Sequence, residues 1–270
     1  MKLVSYIRIS VGVNPFSMSN SFWRKVMITT VVHIAFIAVW WGAVVIGDIP
    51  AYILPTPWQA LLTLGEENYN WTTHFIATSQ EIFGGYILAV VVGVAFAVMF
   101  SWSRTTDETL MPLLVTLNMI PKVAMAPLFI VWLRFGVDTN IVITFTICFF
   151  PILLNTARGM REVEPDLLDL VRSLKGTKWQ IFTKIQLPGA LPYIFSGMKV
   201  ATVLAVAGAI VGEFIQSDRG LGWFMLVTQE ALNTDAMVMS LLLVTLIGVV
   251  LYLIVIALER IFVVQDARVE

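Results

Sequence analysis

The sequence is divided by long runs of apolar residues, each bounded by short polar or charged stretches. About 20 such residues in a helix cross a bilayer core about 30 Å thick. Runs of that kind extend from about 26 to 46, 75 to 100, 110 to 133, 141 to 157, 194 to 211 and 237 to 258. The second is rich in glycine, alanine and valine, and the third is interrupted by Pro112, Pro121 and Pro127. Composition agrees with the pattern. Of 270 residues, 58% are hydrophobic and 13% charged, against about 45–50% and about 25% in soluble domains. That leaves too little polar surface for a water-soluble body of this size. The expected fold is an all-α membrane protein of about six transmembrane helices. Residues 1–25 form a cytosolic tail, 26–264 the transmembrane domain and 265–270 a second cytosolic tail.

Six spans put both termini on one side, and basic residues say which. With the N-terminus inside, the inner segments carry Lys2, Arg8, Arg24, Lys25, Arg104, Arg158, Arg161, Arg172, Lys175, Lys178, Lys184, Arg260 and Arg268. The outer segments hold Arg134 and Arg219. The chain is therefore expected to be a multi-pass protein of the cytoplasmic membrane with both termini cytosolic. No cleaved leader is expected, because the first long apolar run starts only after Arg24-Lys25. A net charge of −1 gives no basic surface for nucleic acid. One cysteine, Cys148, and two histidines, His33 and His74, exclude a disulfide framework and a histidine-rich metal cage. No catalytic set and no metal site is expected.

The longest charged segment, 158–186, is the most informative. Leu167, Leu170, Val171 and Leu174 recur at i, i+3, i+4 and i+7, one face of a short helix. Gly176 breaks it. A second short amphipathic helix carries Trp179, Phe182 and Ile185, and Asp169, Arg172, Lys175 and Lys178 occupy the polar faces. Pro188 and Pro192 are expected to stop this helix and start the fifth span. A helix–glycine–helix knob with an apolar ridge and a charged rim suits docking to another protein.

This segment resembles the EAA loop of binding-protein-dependent ABC importer permeases. The family pattern has Glu-Ala-Ala, three residues, a glycine and, about ten residues on, Leu-Pro. Here Asp169-Leu170-Val171, Gly176 and Leu187-Pro188 occupy those places. The glycine lies one residue later than usual, and Lys175 holds its common position. Arg172-Ser173-Leu174 and Trp179-Gln180-Ile181-Phe182 resemble the sulfonate, taurine, nitrate and thiamine-precursor branch. So do Leu54-Pro55-Thr56-Pro57, Ile120-Pro121-Lys122, Phe150-Pro151-Ile152 and Gly212-Glu213-Phe214.

The resemblance implies a type I importer permease whose loop, 161–192, carries a cytosolic coupling helix. Asp169, Leu170, Val171, Arg172, Leu174, Gly176, Lys178, Trp179 and Phe182 would couple the chain to a separate ABC ATPase. An extracytoplasmic solute-binding protein and a second permease copy, in a homodimer, are the other implied partners. ATP would be bound by the ATPase subunit, and no cofactor by this chain. The sequence agrees in having no GxxxxGK[ST] phosphate loop. The implied cargo is a small polar solute, anionic or heterocyclic: a sulfonate, taurine, nitrate, or a pyrimidine or vitamin precursor. The rival reading is a secondary transporter or channel working without an ATPase. It would call for repeat symmetry and several intramembrane ionisable groups.

Four residues are candidates for the translocation path or its gate: Pro121, Lys122, Gly212 and Glu213. A charge at mid-membrane costs about 2.5–3.5 kcal/mol on insertion scales. Lys122 therefore either lines the path and attracts an anionic group or pairs with carbonyls freed by Pro121 and Pro127. Glu213, beside Gly212 at the outer end of the fifth run, either gates the path or makes a structural hydrogen bond. Glu81 reads as an interfacial carboxylate or a proton carrier. The histidines read as packed or interfacial, and Cys148 as a small core residue. Asp218-Arg219-Gly220-Leu221-Gly222-Trp223 reads as an outer turn, which the resemblance puts near the outer gate.

Overall fold

The computed structural model describes residues 15–101, 104–163, 165–215 and 217–263, and all regular structure among them is helical. α1 (Pro15–Ile46) begins within the expected tail, so that the tail boundary at 25 falls inside a helix. A short helix, α2 (Pro57–Leu62), follows. Its start is fixed by a capping box in which Thr56 and Gln59 satisfy each other's backbone N–H, with Pro57 in the first turn. Two single 3-10 turns lead to α3 (Trp71–Ser101). Next come α4 (Arg104–Asn118), α5 (Lys122–Leu133) and α6 (Val137–Arg161). The polar knob holds α7 (Pro165–Ser173) and α8 (Lys178–Ile181), and α9 (Leu187–Ile215), α10 (Leu221–Glu230) and α11 (Thr234–Phe262) complete the chain. Five helices are long and apolar enough to cross a membrane, and α4 with α5 makes a sixth if that bent pair is one span.

The third run is not a continuous helix. α4 and α5 meet at 88°. Pro121 has no N–H and holds Ile120 away from helical geometry. The chain therefore closes α4 with two tight turns, Met119 N–H to Thr116 and Ile120 N–H to Leu117, and starts again at Lys122. Pro112 and Pro127 lie inside α4 and α5 without breaking them.

The prolines before the fifth run also behave differently from expectation. Helix continues from Lys178 to Ile215. A π turn over Phe182–Gln186, in which Leu187 N–H reaches Phe182, absorbs one extra residue ahead of Pro188. Wider turns of this kind let a helix carry a residue that the regular ladder has no place for. Pro188 and Pro192 therefore lie in the first turns of α9 instead of ending α8.

α3, α6 and α9 pack on one another as the centre of the bundle, and α10 and α11 cover α9. Small residues set the close approach. Gly85 of α3 and Gly208 of α9 press on Thr144 of α6 from two sides, and a Cβ at Gly85 would lie 2.6 Å from Thr144 Cγ2. Lipid gives apolar side chains little reason to leave it, so contact between backbones supplies much of the attraction between membrane helices. Around this seam Ile82, Tyr86, Cys148, Ile152, Ala201, Ala205, Val244, Ile247 and Leu251 form one buried cluster. The buried Tyr86 hydroxyl donates to Met198 O at 3.0 Å, and the Cys148 thiol to Ala201 O at 3.4 Å. α1 differs from the rest. Its main contact is α2, and Val31, Ile34, Phe36 and Val39 are all exposed.

Candidate coupling surface and transmembrane path

The knob is built by local rules. α7 ends in a Schellman motif: Gly176 N–H donates to Val171 O at 2.9 Å, and Lys175 takes the left-handed conformation at φ 58°. That conformation usually goes to glycine, and it falls on the position where the family pattern commonly has one. Gly176 meets a different demand. A Cβ there would collide with Val171 Cγ1 and lie 2.9 Å from Val171 O. α8 then starts at a second capping box, with Thr177 and Gln180 exchanging bonds of 2.8 and 3.2 Å.

This geometry sorts the expected coupling residues. Leu170, Leu174 and Trp179 stand out at 57%, 73% and 61% exposure and form an apolar ridge. Asp169 and Lys178 are exposed beside it, and Val171 is half-buried under Gly176. Phe182 turns the other way, 9% exposed, and joins the core cluster while its ring stays 5.7 Å from that of Trp179. The side chain of Arg172 lies outside the described residues.

Lys122 sits at the α4–α5 bend, half-buried. Its ammonium donates to Asn118 O, a carbonyl released where α4 stops, and to Asn118 Oδ1 at 2.5 Å. It also lies 4.7 Å from the centre of the Phe150 ring, an arrangement in which the ring face attracts the cation. Pro121 supplies the break that frees the carbonyl.

Glu213 and Gly212 lie inside the chain, at the end of the bundle opposite the knob. Glu213 is fully buried. It accepts from Thr78 Oγ1 at 2.5 Å and from Gly222 N–H at 2.5 Å. Leu221 N–H donates to Thr78 Oγ1 at 2.8 Å, and Gly220 N–H to His74 Nδ1 at 3.1 Å, which leaves the neutral ring's proton on Nε2. Gly220, at φ 109°, has a backbone only glycine adopts with ease, and a Cβ there would run into Glu213 Oε1. Gly212 packs on the Asn140 side chain. The 217–222 turn is thus fastened to α3 and α9 through three successive backbone N–H groups.

Glu81 is fully buried in the bundle and takes a 2.9 Å bond from Asn140 Nδ2. His74 is packed, its ring stacked 5.3 Å from Trp223 and 5.0 Å from Phe224. These two rings, with Tyr69, Asn70 and Arg219, border a cavity of about 560 Å³ on the same end. Arg219 holds the Asp218 carboxyl below its usual value through a 3.0 Å bond, but both side chains are over half exposed and the pair adds little stability. Sequence reasoning also left Lys199 without a role. Its ammonium meets Glu259 at 3.0 and 3.2 Å and ties α9 to α11. The pair is 60 residues apart; Lys199 lies inside an apolar run and Glu259 just past the end of another, and nothing in the sequence paired them.

A bundle of membrane-length helices with a charged, apolar-crested knob at one end is the build of a transport permease that works with partner subunits. Residues 85–269 match the binding-protein-dependent transport system inner membrane component family, and the chain belongs to it. A probable ABC transporter permease protein of Haemophilus influenzae is 33% identical over 79% of this chain and 87% of its own length. The formylaminopyrimidine transport permease protein of Halalkalibacterium halodurans is 29% identical (78% and 84%). The riboflavin transport system permease protein of Chloroflexus aurantiacus is 30% identical (84% and 86%). Among solved structures, the inward-facing MetNI methionine ABC transporter matches with a TM-score of 0.55 at 20% identity, over 76% of this chain and 98% of that one, and shows a shared fold. The chain is therefore the membrane subunit of an ABC importer, a transport component of the inner membrane.

Proposed function

We propose that two copies of this chain enclose a path for a small polar solute, anionic or heterocyclic, and that the knob transmits ATP-driven closure from a separate ATPase subunit. The exposed Leu170–Leu174–Trp179 ridge carries this reading, because an apolar crest on a charged, water-facing loop needs a protein groove to cover it. The basic residues of the knob support its cytosolic orientation, with both chain termini on the same side. The opposite end, with its aromatic-walled cavity, would meet the solute-binding protein. The relatives named for formylaminopyrimidine and riboflavin favour a heterocyclic cargo, while Lys122 suits an anionic group.

The test is uptake and ATPase activity of the reconstituted assembly carrying Gly176→Val. The added side chain displaces Val171 and tilts the ridge. Uptake is expected to fall by about 5- to 150-fold, the range of a coupling free energy of 1–3 kcal/mol, while ATP hydrolysis persists. Normal uptake would remove the knob from the coupling path. Affinity purification of the tagged chain with its genomic neighbours should recover an ATPase, and altering Asp169 and Gly176 together should lose it.

A further inference from the structure

Glu81 and Glu213 are two carboxyls inside a membrane bundle, both fully buried, and they belong to one cluster: Thr78, three residues before Glu81 on α3, bonds Glu213, while Asn140, which bonds Glu81, packs on Gly212 next to Glu213. Two charged carboxylates in that position would repel strongly with little water to screen them. The surrounding donors show which one can be charged. Both Glu213 oxygens already accept, Oε1 from Thr78 and Oε2 from Gly222 N–H. On Glu81, Oε1 accepts from Asn140, and Oε2 is buried with no hydrogen-bond partner among the described residues. A carboxyl hydroxyl fits that orphaned position, and Glu213 is the carboxylate of the same cluster that can accept from it.

We propose that Glu81 carries a proton on Oε2, donates it to Glu213, and so holds the 217–222 turn against α3 as a proton-operated latch. The chain of contacts runs from Asn140 through Glu81 to Glu213, and from Glu213 to Gly222 and, through Thr78, to Leu221. Opening is a simple ionisation. The O–H bond of Glu81 breaks, its proton passes to water, and both carboxyls are left charged. Their repulsion pushes Glu213 off the N–H groups it holds, and the turn loosens. Among the described residues, the charged and titratable groups facing the pair are few. α3 also presents His74, which holds Gly220. α6 presents Asn140. The turn brings Arg219, whose field reaches Glu81 and which is itself paired to Asp218, and α10 offers the N–H groups of Gly222 and Trp223. Arg219 is exposed, so its pull on Glu81 is screened and does not replace the proton. The latch is separate from the knob, and its test does not depend on ATP.

The experiment uses the purified full-length chain. Infrared spectroscopy at neutral pH should show the C=O stretch of a protonated carboxyl, and Glu81→Gln should remove it. The amide introduced by that substitution keeps the Asn140 bond through its oxygen and gives Glu213 an N–H that does not titrate. Opening is read by thiol labelling of Leu221→Cys, a fully buried position, relative to the exposed Leu232→Cys, both in a Cys148→Ala background. From neutral to strongly alkaline pH, this ratio should rise by about tenfold or more, as expected for a local opening event. In the same background with Glu81→Gln it should stay flat. No acid band in the unmodified chain, a band that survives Glu81→Gln, or equal pH dependence in the two backgrounds would each overturn the latch. So would labelling that follows sodium concentration at fixed pH, which would put a metal ion where we place the proton.

Discussion

Lys175 shows how one backbone angle can matter more than the residue type beside it. The sequence displays a glycine at 176 and invites the inference that the break lies there. The left-handed turn falls instead on Lys175, and Gly176 is small because Val171 lies beneath it. Leu232, at φ 54°, repeats the device after α10, with Asn233 N–H bonded to Thr228 O. A left-handed side-chain residue costs about 1–2 kcal/mol, of which glycine returns about 0.5–1 in lost chain freedom. Lys175→Gly and Leu232→Gly are therefore each expected to stabilise the chain by about 0.5–1 kcal/mol, read as a higher thermal unfolding temperature in detergent. Lys122→Met tests the other residue-scale question. If the ammonium attracts an anionic cargo, KM for uptake should rise several-fold. An unchanged KM with lower thermal stability would assign Lys122 to capping α4 alone. The capped carbonyl could be foreseen from Pro121, but the Phe150 ring beneath the ammonium comes from another helix and leaves no local trace.

At the scale of elements, the six apolar runs could be placed from sequence because lipid demands long uninterrupted stretches. What the pattern did not contain was how helices bend and meet. The 88° corner between α4 and α5 and the π turn ahead of α9 both arise at prolines, yet Pro121 breaks its helix while Pro188 and Pro192 do not. Ahead of Pro188 a π turn takes up an extra residue, whereas ahead of Pro121 two tight turns close α4. The α3–α6–α9 seam was visible only as an excess of glycine and alanine. Its geometry makes Gly208→Val a sharp probe, since the nearest atom is the backbone Cα of Thr144, 3.0 Å from the added Cβ. Overpacking there is expected to cost about 1–3 kcal/mol, measured by unfolding in detergent. Lys199→Met should weaken the α9–α11 tie by leaving Glu259 unpaired. The cost is about 3 kcal/mol, the low end for a broken buried pair, because a quarter of the Lys199 side chain is exposed.

For the molecule as a whole, much apolar surface is left for something other than its own chain. α1 leans mainly on α2, and a groove of about 850 Å³ lies open between α9 and α11, lined by Val203, Val206, Ile210, Phe214, Leu241 and Gly248. Pairing of two copies would cover part of this surface. The purified chain is accordingly expected to have twice the mass of one copy in mild detergent, by light scattering corrected for bound detergent. A single-copy mass would count against the homodimer.

The polar cluster at the end away from the knob also bears on how the protein is made. Thr78 and Glu213 are bonded across 135 residues, and Glu81 and Asn140 across 59. A ribosome adding about 5–20 residues per second takes on the order of ten seconds to travel between the first two. Through that interval the carboxyl that Glu81 will share a hydrogen with does not yet exist. α3 is made with an acid group whose partner comes only with α9.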